Sequence, residues 1–156
     1  MIRVTHEIGI KRTMAEVFEF LEDPANYPAW QVVMSHIVAT NEMREGSLVT
    51  YTRSSEMGDS LTSTIRITKN NGLDLMESVS VRGPLENFVR LSLKPNGPDA
   101  TLFRIDINSK PIAAMPPDSE TTLEYIIDAR TEADAARLKQ VLEGPDAWVM
   151  GPKKSK

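Results

Sequence analysis

The sequence predicts an α+β fold in which a seven-stranded, curved antiparallel sheet wraps around a long C-terminal helix. Three observations lead to this prediction. Residues 2–10 alternate between apolar and polar side chains, six further Val-, Ile-, Thr- and Leu-rich runs lie between 31 and 109, and a helical pattern fills 120–143. The connections are too short for the crossovers that parallel strands need, so the strands are predicted to be antiparallel.

The first strand is predicted over residues 2–10. One of its faces carries Ile2, Val4, His6, Ile8 and Ile10, while the other face carries charged and hydroxyl side chains. We therefore expect one face of this strand to be buried and His6 to lie on it.

Two short helices are predicted between the first two strands. The sequence TMAE at 13–16 is a capping box, which starts a helix that is predicted to end at Glu22. Asp23 can cap a second helix with Pro24 in its first position, and Pro28 is expected to end that helix after about one turn.

These two helices are expected to form a V that links the two edge strands and supports one end of the long helix. Trp30, which closes the segment FLEDPANYPAW at 20–30, is expected to pack where the V meets that helix. The prediction makes Trp30 mainly structural, with a contact to the inner end of a ligand as a second role.

The remaining strands are predicted at about 31–40, 47–55, 60–69, 73–81, 85–94 and 100–109. Residues 110–119 are predicted to form a loop. A helix is favoured for 120–143 with Gly144-Pro145 as its stop, although the run TTLEYIIDA at 121–129 also fits a strand.

Composition limits the classes of partner and cofactor. The 156 residues predict one domain over 1–150 followed by a disordered basic tail at 151–156. A net charge of −4 argues against nucleic acid as the main partner. The chain has no cysteine and only two histidines, so no metal site and no cofactor are expected.

The sequence shows no signal-peptide pattern at its start and no run of about 20 apolar residues that could span a membrane. We therefore expect a cytoplasmic protein without an integral membrane segment. Trp148, in DAWVMG after the last helix, is expected either to fold back onto the domain or to form a homodimer contact.

Three segments resemble the SRPBCC superfamily, the START-like and birch-pollen-allergen-like group that includes polyketide cyclase/dehydrase-like proteins. They are EVFEFLEDPANYPAW at 16–30, EGSLVTY at 45–51 and EADAARLKQVLEG at 132–144. The resemblance implies the helix-grip fold of a single START-like domain. Members of this group bind lipids, hormones or polyketides, some are enzymes, and some act through protein partners, so the resemblance implies a site location and not a chemistry.

A single helix does not fill the concave face of such a sheet, so a cavity for an apolar ligand is expected between them. Candidate polar residues are those that strand alternation places on the inward faces. His6 qualifies on the first strand, either as a hydrogen-bonded core histidine or as a ligand contact.

Glu77 qualifies through the alternation of LDLMESVSV at 73–81, unless a β-bulge turns it outward or the strand end is open to water. Asn87 shares an apolar face but is expected to be exposed at a strand end. His6 and Glu77 are not expected to touch, because two strands lie between theirs. Further candidate ligand contacts are Tyr51, Phe103 and Ile105, each of which is equally apt as a core residue, and Trp30 in its second role.

Three hypotheses follow. The first is a domain that binds a hydrophobic small molecule, such as a lipid, isoprenoid or polyketide, for carriage or sensing. The second is an enzyme of the cyclase/dehydratase type with His6 or Glu77 as acid or base. The third is a protein-interaction module whose cavity is filled by side chains.

Overall fold

The computed structural model of the protein describes residues 1–31, 33–54, 60–83, 85–111 and 116–144. Its elements, in chain order, are β1 (Ile2–Ile10), α1 (Met14–Leu21), a 3-10 turn (Pro24–Asn26), α2 (Tyr27–Trp30), β2 (Met34–Ala39), β3 (Leu48–Ser54), β4 (Ser60–Asn70), β5 (Leu75–Arg82), β6 (Leu85–Pro95), β7 (Thr101–Pro111) and α3 (Pro117–Glu143).

In the described part of the chain, seven strands form one curved antiparallel sheet in the order β1-β7-β6-β5-β4-β3-β2. The predicted fold class is therefore confirmed. β1 and β2 are the two edges, and the segment that contains α1 and α2 joins them. The helix α3 packs against β1 and α2.

The segment 121–129 is helical and belongs to α3. Tertiary packing decides this, because buried residues recur along α3 at the spacing of a helix face: Ile127, Thr131, Asp134, Ala135, Leu138 and Leu142. The helix begins at Pro117, three residues before the predicted start, since proline is tolerated in the first turn. It ends at Glu143, where the Gly144 N–H donates to the carbonyl of Gln140.

The capping box of α1 is present. The Thr13 N–H donates to Glu16 Oε1 at 2.9 Å, and the Glu16 N–H donates to Thr13 Oγ1 at 3.2 Å. Asp23 caps the 3-10 turn through the Ala25 N–H. The prediction that Pro28 ends the second helix is wrong: Pro28 lies in the first turn of α2, where its missing N–H costs no hydrogen bond.

Side-chain hydrogen bonds fix α2 between its neighbours. The Tyr27 hydroxyl donates to the Leu21 carbonyl at 2.8 Å, and Arg137 Nε on α3 donates to the Ala29 carbonyl at 3.1 Å. Trp30 is fully buried, and its ring meets the Phe103 ring edge to face at 6.1 Å. This end of the domain is thus densely packed.

Two predictions concern residues outside the described ranges, namely those for Trp148 and for the basic tail at 151–156. Among the helices that the structure describes, none is both long and apolar enough to cross a membrane.

Candidate functional site

A cavity of about 130 Å³ lies between the inner face of the sheet and α3. This is roughly ten times the volume that one water molecule needs. Most of its wall is apolar and comes from strands β3 to β7, including Val49, Ile65, Ile67, Val89, Leu91 and Ile107. The cavity is partly open to solvent, so a bound molecule could extend beyond it.

A smaller set of polar side chains also lines the cavity: Gln31, Arg53, Ser78, Asn87, Arg130, Thr131 and Asp134. They come from the loop after α2, from strands β3, β5 and β6, and from the middle of α3. A mostly apolar wall with a few converging polar groups is typical of small-molecule sites. Within the described residues, no cluster of three or more His, Asp or Glu side chains could hold a metal ion.

Arg53 is the polar residue of β3 that faces the cavity. Its Nη2 donates to Gln31 Oε1 at 3.4 Å, a long contact, and its guanidinium carbon lies 5.3 Å from the centre of the Tyr51 ring. Its Nε is buried and has no hydrogen-bond partner among the described residues. The guanidinium therefore retains hydrogen-bonding capacity toward the cavity.

Asn87 is held in the cavity wall by the neighbouring strands. Its Oδ1 accepts a hydrogen bond from Ser109 Oγ at 2.5 Å, and its backbone N–H donates to Ser80 Oγ at 2.9 Å. The prediction of an exposed Asn87 is wrong, because β6 stays paired with β7 beyond this position, as far as Pro111, and Ser80 of β5 bonds to its backbone from the other side. Its side chain is half-buried and lines the cavity.

Tyr27 also lines the cavity but is not available as a base at neutral pH. Burial raises the pKa of its hydroxyl far above the usual value, and the nearby Glu22 carboxylate raises it further. The hydroxyl stays neutral and donates to the Leu21 carbonyl.

The structure divides the predicted apolar contacts into two groups. Tyr51 and Ile105 line the cavity. Trp30 and Phe103 are fully buried in the adjacent packed core and are absent from the cavity wall. The structure therefore supports the structural role predicted for Trp30 and, of the two roles left open for Phe103, the core role.

His6 lies on the inward face of β1, as predicted, but not in the cavity wall. One of its ring nitrogens, Nε2, lies 2.8 Å from Asp128 Oδ1 on α3. The histidine thus joins the edge strand to the long helix, in agreement with the hydrogen-bonded structural alternative.

Glu77 is not a cavity residue: of the inward and outward positions that the sequence leaves open for it, the structure shows the outward one. Met76 and Ser78 line the cavity, while Glu77 lies on the outer face and accepts a hydrogen bond from Arg90 Nε at 2.6 Å. The strand begins only at Leu75, and the apolar residues Leu73 and Val81 that suggested the opposite alternation are both exposed.

Ser78, Asn87 and Arg53 were not proposed as ligand contacts from the sequence. A signal for Arg53 was present, because Val49, Tyr51 and Arg53 alternate on one face of the same strand. No such signal distinguishes Ser78, whose strand was assigned the opposite face.

The chain belongs to the family described as polyketide cyclase / dehydrase and lipid transport, whose model matches residues 1–143. The resemblance to the SRPBCC superfamily is thereby confirmed. Family and fold together indicate a hydrophobic-ligand-binding or polyketide cyclase-type protein. A search of curated protein sequences finds no match.

Solved structures share the helix-grip fold at low sequence identity. The Zhui aromatase/cyclase from Streptomyces sp. R1128 has a TM-score of 0.80 at 15% identity, covering 96% of this chain and 98% of its own. A START superfamily protein from Mycobacterium smegmatis has a TM-score of 0.70 at 15% identity, covering 90% and 99%. TTHA0849 from Thermus thermophilus has a TM-score of 0.74 at 13% identity, covering 90% and 96%. At these identities the likeness establishes the fold alone.

Proposed function

We propose that this protein binds a hydrophobic small molecule in the cavity between the sheet and α3, for carriage or sensing. The observation that carries the proposal is the apolar wall formed by β3 to β7 beneath a helix that does not fill the concave face. Burying roughly 200 Å² of apolar ligand surface would contribute about 5 kcal/mol before the costs of association.

The chemistry of the lining and the family description support the same class of ligand. The family description includes lipid transport, and one structural neighbour is an aromatase/cyclase. We therefore propose a lipid, an isoprenoid or a polyketide-like molecule. Asn87, which is fixed by Ser109 and Ser80, is placed to orient a hydroxyl or carbonyl group of such a ligand.

The cavity supports binding better than the two alternatives. An acid–base role for His6 or Glu77 lacks support, since neither side chain lines the cavity. A pure interaction module with a filled cavity is also disfavoured, because the described side chains leave about 130 Å³ unoccupied.

Titration with N-phenyl-1-naphthylamine, a neutral apolar fluorophore, tests the proposal. Val89→Phe would fill the cavity, whereas Val38→Phe makes the same change at an exposed position on the outer face of β2. We expect saturable binding to the wild type and to Val38→Phe, and at least about tenfold weaker binding to Val89→Phe.

Circular dichroism and urea unfolding would confirm that both variants are folded. Equal binding by all three proteins would place the probe outside the cavity. The absence of binding to the wild type would remove the support for an apolar ligand site.

A further inference from the structure

We propose that Arg53 binds the carboxylate of the ligand, so that the cavity selects hydrophobic molecules with an acidic end group over neutral analogues. This inference rests on the proposed function, because it assigns the headgroup chemistry of the same site. The ligand class is an amphipathic acid with an aliphatic or aromatic body.

The first argument is the contrast between Arg53 and two arginines of the outer face, Arg90 and Arg104. Arg90 pairs with Glu77 at 2.6 Å, and Arg104 pairs with Asp106 at 3.0 Å. Arg53 forms no ion pair within the part of the chain that the structure describes, although it lines a cavity and its Nε is buried. Among the described residues, Arg53 thus combines a buried, unbonded N–H group with a position at a cavity where a ligand could supply its partner.

The second argument is energetic. A buried N–H without an acceptor costs free energy, and natural proteins leave few such groups unexplained. The neutral Gln31 Oε1 at 3.4 Å is a weak acceptor for Nη2. A carboxylate matches the planar fork of an arginine, since its two oxygens can accept from Nε and one Nη together.

The third argument concerns charge and orientation. Among the described residues of the cavity wall, the charged ones are Arg53, Arg130 and Asp134, which together carry one net positive charge. The ring of Tyr51 lies near the guanidinium and would hold its plane. An anionic group is therefore favoured over a cationic one, and the apolar wall beyond β3 accommodates the body of the molecule.

The test uses displacement of N-phenyl-1-naphthylamine by matched acid and alcohol pairs. Octanoate with 1-octanol probes an aliphatic source, and 2-naphthoate with 2-naphthalenemethanol probes an aromatic one. The proteins are the wild type, Arg53→Met and the control Arg66→Met, which removes an exposed arginine on the outer face of β4.

We expect Arg53→Met to bind at least one of the two acids at least about tenfold more weakly than the wild type does. The affinity of Arg53→Met for the alcohol matched to that acid should stay within about twofold of the wild-type value. Arg66→Met should leave all affinities unchanged. The pair that shows the effect identifies the source of the acid. If Arg53→Met fails to fold, Arg53→Gln replaces it and should give the same loss.

Equal losses for acid and alcohol would overturn the inference, because Arg53 would then only shape the cavity. Unchanged acid affinity in Arg53→Met would overturn the inference as well. If the probe still binds in that case, the proposed apolar ligand site remains supported. If the probe fails to bind, calorimetric titration with the acids separates the two proposals. Arg53-dependent acid binding would then support the carboxylate site alone, and no acid binding would overturn both.

Discussion

The inner face of β7 and the facing side of α3 are densely packed at one end of this domain and border a cavity at the other. Along the inner face of β7, Phe103 is fully buried in the core, whereas Ile105 and Ile107 border the cavity. Along α3, Leu138 is fully buried, whereas Thr131 lines the cavity. The strand passes from core to cavity between Phe103 and Ile105, and the helix does so within about two turns, between Leu138 and Thr131.

The difference lies in what the segment between β1 and β2 provides. At the packed end, α2 inserts Trp30 against Phe103, and Tyr27 and Arg137 tie α2 to α1 and α3. Farther along the sheet, the gap under α3 is bordered by shorter aliphatic side chains and by polar groups such as Arg53 and Asn87. The packed pair of Trp30 and Phe103 therefore closes one end, and a binding site remains at the other.

The largest expected effect is that of Trp30→Ala, which would remove the aromatic plug from the packed end. We expect the free energy of unfolding to fall by about 3–5 kcal/mol, since the site is fully buried and cannot collapse easily. Urea denaturation measures the change. Tyr125→Ala, at an exposed position on α3, is the control and should stay within about 0.5 kcal/mol of the wild type.

A matched pair of leucine truncations compares the two ends directly. Leu138→Ala at the packed end should cost about 2–5 kcal/mol, whereas Leu85→Ala at the cavity should cost roughly half as much. Leu85 already faces empty space, so its removal loses fewer contacts. Equal losses in denaturant unfolding would show that the two ends are packed alike.

Acidification tests the interactions of the Glu143 carboxylate with Lys139 and Lys11 at the packed end. Burial raises the pKa of Glu143, but hydrogen bonds from Lys139 Nζ and from the Lys11 N–H, together with the charges of these lysines, bring it below its usual value. Because folding lowers the pKa of Glu143, its carboxylate stabilises the folded state at pH values above the ordinary pKa of a glutamate. That stability is lost as the pH falls through the folded pKa.

We therefore expect Glu143→Gln to destabilise the protein more at pH 7 than at pH 3. Urea midpoints at both values measure this difference, with the exposed Glu124→Gln as the control. A difference between wild type and Glu143→Gln that is the same at both pH values would show that the carboxylate charge contributes nothing.

The smallest expected effect is that of Glu77→Gln on the outer face. The ion pair with Arg90 is partly exposed, so we expect a loss below about 1 kcal/mol. Affinity for N-phenyl-1-naphthylamine should not change, since Glu77 lies on the opposite side of the sheet from the cavity. Weaker probe binding by a stably folded Glu77→Gln would contradict the outward placement.

The architecture was predictable from the sequence because its signals are local and mutually consistent. The capping box of Thr13 and Glu16 starts α1, the alternation of residues 2–10 indicates a strand with one buried face, and short turns imply an antiparallel meander. The helix over 121–129 was less certain, since β-branched residues fit both states. Packing of Ile127 against Ile2 and Val4 stabilises the helical state.

The cavity wall was less predictable because alternation assigns a face only when the start of the strand is known. In β5 the residues before Leu75 belong to a turn, where Asn71 Oδ1 accepts from the N–H groups of Leu73, Asp74 and Leu75. Counting from Leu73 therefore placed Glu77 inward instead of Met76 and Ser78. Alternation also does not distinguish a core residue such as Phe103 from a cavity residue such as Ile105.

The most direct test of an apolar ligand site is to locate a bound probe by NMR. With methyl-labelled protein and N-phenyl-1-naphthylamine, we predict intermolecular NOEs to the methyl groups of Ile65, Val89 and Ile107. NOEs only to the exposed methyl groups of Val38 or Val81 would contradict the account, because the probe would then bind the outer surface and the cavity would remain empty.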